Sequence, residues 1–262
     1  MQLTVAGSSC SIPRPGRACS SYLIESAARA IVADLGSGAF ANVRRYREAE
    51  QIDAVVISHM HADHFLDVIP MRYALKYGTR TNAHRPLLYL PPGGERMLRD
   101  LVGTFASESG ADFLGDVFDV RVYDPNAALV LADVTLRFAP TSHYIPTFAM
   151  RFEAAGASFA YSADTAPDER VIELAAGADA FLCEATLSPA GEAEVPRGHV
   201  SAREAARMAA TAHVGRLLLS HYPASANLAE LARAARAEFD GPVDVVDDGF
   251  RSVFGFGVAA GQ

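Results

Sequence analysis

Lysine is nearly missing from this 262-residue chain, with Lys76 the single example. Acidic residues outnumber basic ones, 31 to 23, for a formal net charge of −8. Nucleic-acid backbones are held chiefly by positive charge, so this total counts against a large nucleic-acid partner, although a local patch can differ from it. Cysteine is scarce as well. Cys10, Cys19 and Cys183 show no metal-ligand spacing and read as reduced thiols. None is assigned as a nucleophile, because a reactive thiol needs a positive, exposed setting that spacing does not reveal. Apolar runs stay well short of the roughly 20 residues that span a bilayer, so no membrane partner is expected. Residues 1–7 read directly as a strand, without the basic segment and long apolar region of a signal peptide. A cytoplasmic location follows as the expectation. No Pro/Gly/Ser linker, low-complexity tract or charge block marks a boundary. A single domain over residues 1–262 is expected, built from two similar halves meeting near residue 140.

What the chain does have is histidine and aspartate in one short stretch, His59-Met60-His61-Ala62-Asp63-His64. It follows the apolar run Ala54-Val55-Val56-Ile57-Ser58, which reads as a buried strand. Alternate strand side chains face opposite ways. His59 and His61 would therefore share a direction as the strand ends, while the next turn carries Asp63 and His64 to a second position. One loop would thus serve two metals. Imidazole and carboxylate donors suit zinc, with manganese or iron as alternatives.

Three further candidates follow apolar runs: His143 after 134–138, Asp164 after 158–162, and His221 after 216–220. Any one alone would more often be a cap or a surface residue. As a set at strand ends they complete a two-metal ligand inventory. His213 falls at the end of a helix, where the dipole favours it, and reads as structural. His84 reads as a solvated loop residue.

Strands are expected at 3–6, 20–24, 29–33, 54–58, 87–90, 117–122, 129–138, 147–152, 158–161, 180–184 and 217–220. Helices are expected at 42–49, 65–77, 94–104, 168–176, 201–213 and 227–239. Ser201 with Glu204 forms a capping-box signature. Residues 77–85 and 107–116 read as loops. Hairpins early and alternating helices late imply two mixed sheets with helices outside.

At this point the chain resembles the metallo-β-lactamase superfamily, in the order and approximate spacing of His59, His61, Asp63, His64, His143, Asp164 and His221. The resemblance implies an α/β fold, the four-layer αββα sandwich, and a site for two divalent metal ions. It places His59, His61 and His143 on the first metal and His64 and His221 on the second, with Asp63 beside the second and Asp164 bridging. The fold alone does not give the substrate.

Within the superfamily, Phe181-Leu182-Cys183-Glu184, Gly198-His199-Val200-Ser201 and the opening Gly7-Ser8-Ser9-Cys10 resemble the ribonuclease Z-like branch. The resemblance implies that Glu184 orients His199 and keeps it charged, and that His199 assists the leaving oxygen. Arg17 is a weaker candidate to reach substrate. The tRNA-gripping arm of that branch has no room here, because the short interval from His143 to Asp164 already holds two expected strands. Ala163 also replaces the glycine usual before the bridging aspartate. The armless chain is similar to compact bacterial proteins that include atypical class II cyclic-nucleotide phosphodiesterases. The expectation is a phosphodiesterase acting on a small phosphodiester through a metal-bridging hydroxide, with Asp63 orienting the nucleophile or taking its proton. RNA 3′-end cleavage and acyl hydrolysis by a thioesterase or lactamase are the rivals, and a homodimer is compatible with this group.

Overall fold

The computed structural model describes residues 1–78, 85–106, 110–193 and 196–255. The first sheet takes β1 (Gln2–Gly7), β2 (Ser21–Glu25), β3 (Ala30–Ala33), β4 (Ala54–Val56), β5 (Leu87–Leu90) and β6 (Asp119–Val122) side by side in chain order. The second takes β7 (Leu129–Leu131), β8 (Val134–Pro140), β9 (Phe148–Ala154), β10 (Ala157–Tyr161), β11 (Ala180–Glu184), β12 (Leu217–Ser220) and β13 (Val243–Val245). The last strand, β14 (Arg251–Val253), returns to pair with β1. Each sheet then shows three antiparallel pairings followed by three parallel ones. The two halves therefore share one topology. They divide between Val122 and Leu129, not near residue 140.

Patterning explains the layers. Along the first sheet Tyr22, Ile31 and Val56 face inward, while Leu23, Val32 and Val55 face outward. The inward set meets Phe152, Phe159, Leu182 and Leu218 of the second sheet in one apolar layer. Strands such as β3 and β12 are buried on both faces, which is why they read as unbroken apolar runs.

Helices cover the outer faces. α1 (Ala39–Val43), α2 (Ala62–Phe65), α3 (Val68–Tyr77), α4 (Gly94–Gly103) and α5 (Gly110–Gly115) belong to the first half. Phe40, Met71, Leu75 and Leu98 pack on the first sheet. α6 (Glu169–Ala175), α7 (Ala202–Thr211) and α8 (Leu228–Arg236) belong to the second. Val171, Ala205 and Met208 pack there against Ala160, Phe181 and Leu219. Helix, sheet, sheet and helix stack as the expected αββα sandwich. Among the described residues no helix is long and apolar enough to cross a membrane.

Several expectations need correction. The strand expected over 129–138 is the hairpin β7–β8, because Ala132 takes a left-handed turn at φ 55. The helix expected over 42–49 ends at Val43, and a separate 3-10 turn starts where Glu48 and Gln51 cap each other. The helix expected over 65–77 is divided between α2 and α3, and α5 lies in the expected loop 107–116. Ser201 and Glu204 do cap α7 reciprocally.

Candidate active site

All the candidate ligands gather where strands of the two sheets end at one rim. β4 stops at Val56, so His59 and His61 project from the following loop rather than from strand alternation. His61 is the N-cap of α2, and Asp63 and His64 lie within that short helix. The rings still converge. His61 Nδ1 lies 3.2 Å from His59 Nε2 and 3.1 Å from His143 Nε2. Asp164 Oδ2 lies 3.7 and 3.8 Å from the latter two. Burial depresses all three histidines against the opposing charge of Asp164, His59 strongly and His143 to about 4. Neutral rings present lone pairs, and one proton cannot satisfy three converging nitrogens. Zinc–nitrogen bonds of about 2.0–2.1 Å at tetrahedral angles would set neighbouring donors roughly 3.3–3.4 Å apart, close to this spacing.

The second group is Asp63, His64, Asp164 and His221. His64 Nε2 lies 3.5 Å from Asp63 Oδ2 and 3.4 Å from Asp164 Oδ1. His221 Nε2 lies 3.3 Å from Asp63 Oδ2 and 3.5 Å from Asp164 Oδ1. His64 Nε2 and Asp164 Oδ1 are buried without a hydrogen-bond partner. Leaving such atoms bare is costly. A cation among these donors would satisfy both atoms, so the residues fit a metal here too. Asp164 offers one oxygen to each group. Burial works against its charge, but the surrounding histidines hold its carboxyl well below the usual range. His221 and His64 hold Asp63 low in the same way against its burial.

Four of the five candidate imidazoles, those of His59, His64, His143 and His221, are aimed by a bond at the other nitrogen, as is common for metal-binding histidines. His143 Nδ1 donates to the Gly198 carbonyl at 2.7 Å. Thr186 Oγ1 donates to the His221 carbonyl and accepts from His221 Nδ1, both at 2.9 Å. The sequence reading missed Asp34, which directly follows β3 and is fully buried. It accepts from the Ser58 amide and hydroxyl, from His64 Nδ1 and from the Tyr161 hydroxyl. Ser58 Oγ in turn accepts from His59 Nδ1 at 3.0 Å. One carboxylate thereby sets a ring in each group. An aspartate directly after the apolar strand Ala30–Ala33 was the available signal.

Glu184 ends β11, almost wholly buried, and both its oxygens lie 3.0 Å from His199 Nδ1. Burial opposes a charge on His199, but the Glu184 carboxylate overrides it and raises the imidazole to about 9. The His199 ring sits 5.0 Å from that of His143 and 6.0 Å from that of His221. A cavity of about 330 Å³ opens here, lined by His61, Asp63, Tyr144, Asp164, His199 and His221 among others. Arg17 does not line it and instead pairs with Asp247 at 2.7 Å. His84 lies outside the described residues. All three cysteines are free and buried, and burial pushes the Cys19 thiol up to about 12, which makes it a poor nucleophile. Ala163 adopts φ 50, a conformation that suits glycine better.

Residues 29–222 match the model of the beta-lactamase superfamily domain. The chain belongs to that superfamily. This β-lactamase-superfamily chain is 34% identical over 253 residues to an uncharacterized protein of Mycobacterium leprae, covering 95% of itself and 87% of the relative. It is 31% identical over 272 residues to a ribonuclease Z of Mycobacterium bovis, covering 95% and 96%. The crystal structure of the metallo-β-lactamase-fold protein YhfI from Bacillus subtilis matches with a TM-score of 0.85 at 26% identity, covering 96% and 98%. Its sequence is described as a probable metallo-hydrolase. The superfamily chain is accordingly a metallo-hydrolase with a His/Asp cluster able to bind metal.

Proposed function

We propose that the protein is a two-metal phosphodiesterase acting on a small phosphodiester such as a cyclic nucleotide. The carrying observation is His199, held through Nδ1 by both oxygens of buried Glu184 on the wall of a cavity that members of both ligand groups also line. His59, His61 and His143 would hold one cation, His64 and His221 with Asp63 the other, and Asp164 would bridge them. Zinc suits this donor set first, with manganese or iron as alternatives. A cation pair supplies Lewis acidity, which eases deprotonation of an attacking water and offsets charge on the phosphoryl oxygens. Asp63, whose Oδ2 lies 3.3 Å from His221 Nε2 and 3.5 Å from His64 Nε2, would orient the water or take its proton. His199 Nδ1 is committed to Glu184, so Nε2 carries the proton for transfer to the departing oxygen as its bond to phosphorus breaks. A ribose alkoxide needs that proton, whereas a nitrophenolate scarcely does.

The test is turnover of 3′,5′-cyclic AMP by zinc- or manganese-loaded protein, with His199→Ala beside it. The variant should lose about 10²–10⁴-fold on the cyclic nucleotide and far less on a nitrophenyl phosphodiester. Equal losses would remove His199 from the acid role. No turnover from protein with metal bound by elemental analysis would sink the small-substrate reading. The second reading is RNA 3′-end cleavage, favoured by the 31% identical ribonuclease Z. Against it, the hairpin β9–β10 closes through only Ala155 and Gly156, leaving no arm between His143 and Asp164. A gel assay on precursor tRNA separates the two. Acyl hydrolysis ranks lower, because that chemistry makes no call on the Glu184–His199 pair.

A further inference from the structure

Tyr144 is an unusual neighbour for a catalytic cavity. The residue is 61% exposed, although it directly follows His143, whose side chain is wholly buried. The ring centroid lies 5.0 Å from that of His143 and 5.9 Å from that of His199. One part of the ring is backed by main chain. A Cβ placed on Gly198 would fall 2.9 and 3.0 Å from Tyr144 Cε2 and Cδ2, and 2.8 Å from His143 Nδ1. The absence of a side chain at Gly198 is therefore what lets the tyrosine lie close. The Gly198 carbonyl also accepts from His143 Nδ1, so the segment supporting the ring is tied to the ligand group. Tyr144 and His199 both line the cavity.

We infer that Tyr144 is a specificity-determining residue, a fixed stacking platform for a planar aromatic group, namely a nucleobase, on the substrate's phosphodiester. The inference rests on the phosphodiesterase reading of this site and narrows its substrate class to nucleotides. Tyrosine presents a large amphipathic face with few rotatable bonds, and a ring already braced loses little freedom on binding. Every base offers a π face, so stacking selects for a base without choosing sharply among bases. Because the contact is made equally in the ground and transition states, it should act on KM and spare kcat.

Two measurements on metal-loaded protein test it. In the first, equilibrium binding of adenosine 5′-monophosphate is compared with that of ribose 5-phosphate. Wild type should prefer the nucleotide by about 10- to 100-fold, a range set by base–aromatic stacking. Tyr144→Ala should abolish the preference, while Tyr144→Phe and Tyr144→Trp keep it. In the second, KM for 3′,5′-cyclic AMP should rise by a similar factor in Tyr144→Ala at nearly constant kcat, with a base-free cyclic ribose phosphate unaffected. No preference in wild type, or equal losses with and without a base, would overturn the platform. A preference that depends on Tyr144 without any turnover of a cyclic nucleotide would uphold the platform and overturn the small-phosphodiester reading instead.

Discussion

Glu184 does two jobs with one buried carboxylate. It accepts the Thr165 amide at 2.7 Å and grips His199 with both oxygens. The sign of its effect is definite. His199 is raised from an ordinary 6.5 to about 9, so the stabilisation from its charge is complete below about 6.5 and fades as pH rises through 9. Glu184→Gln keeps the shape and removes the charge, leaving burial to pull His199 down. The alkaline limb of kcat/KM for an alkoxide-leaving substrate should then move to lower pH by about two units or more. A pH–rate profile checks this, and an unmoved limb would show that His199 is not the titrating acid. The candidate ligands that the fold brings together were legible in the sequence, because histidine and aspartate after apolar strands stand out. Their supports were not. Asp34, Ser58 and Thr186 are ordinary polar residues whose partners are fixed only by folding.

At the scale of elements, the motif helix α2 owes its seat to Gly36. A Cβ there would lie 1.9 Å from the Asp63 carbonyl oxygen and 2.8 Å from the Cys19 Cβ. Gly36→Ala must push α2 and its two candidate ligands, Asp63 and His64, outward. Overpacking of this kind costs about 1–3 kcal/mol or more. The variant should melt lower and hold less metal by elemental analysis, and full occupancy at an unchanged Tm would contradict this account. Strongly apolar or amphipathic elements such as β5, β11, β12 and α7 were readable from pattern. The elements β13, β14 and α5 were not. β13 and β14 have three residues each, and α5 six, too few to set a period. The hairpin β7–β8 hid because its turn uses Ala132 rather than the Asn-Gly or Asp-Gly that usually marks such turns.

Across the whole molecule, the ligand groups straddle the two sheets. His59, His61, Asp63 and His64 come from the first half, and His143, Asp164 and His221 from the second. Cations held there would cross-link the halves at their shared rim. Metal at about 100 times its dissociation constant should add about 2.7 kcal/mol. That corresponds to a rise in Tm of roughly 5–10 °C for a chain of this size, reversed by a chelator. A melting curve indifferent to metal would argue that no cation spans the halves. The repeat of topology without a visible repeat of sequence follows from what topology needs. Apolar runs in the right order suffice, and many residues can supply them. Asp164 offers an oxygen to each candidate group, and Asp34 bonds His64 directly and His59 through Ser58, so two cations bound there would not have separate dissociation constants. By thermodynamic reciprocity, whatever factor the first cation imposes on the affinity for the second, the second imposes on the first. A mixed-metal preparation will therefore show, at one position, a preference that changes with the element filling the other.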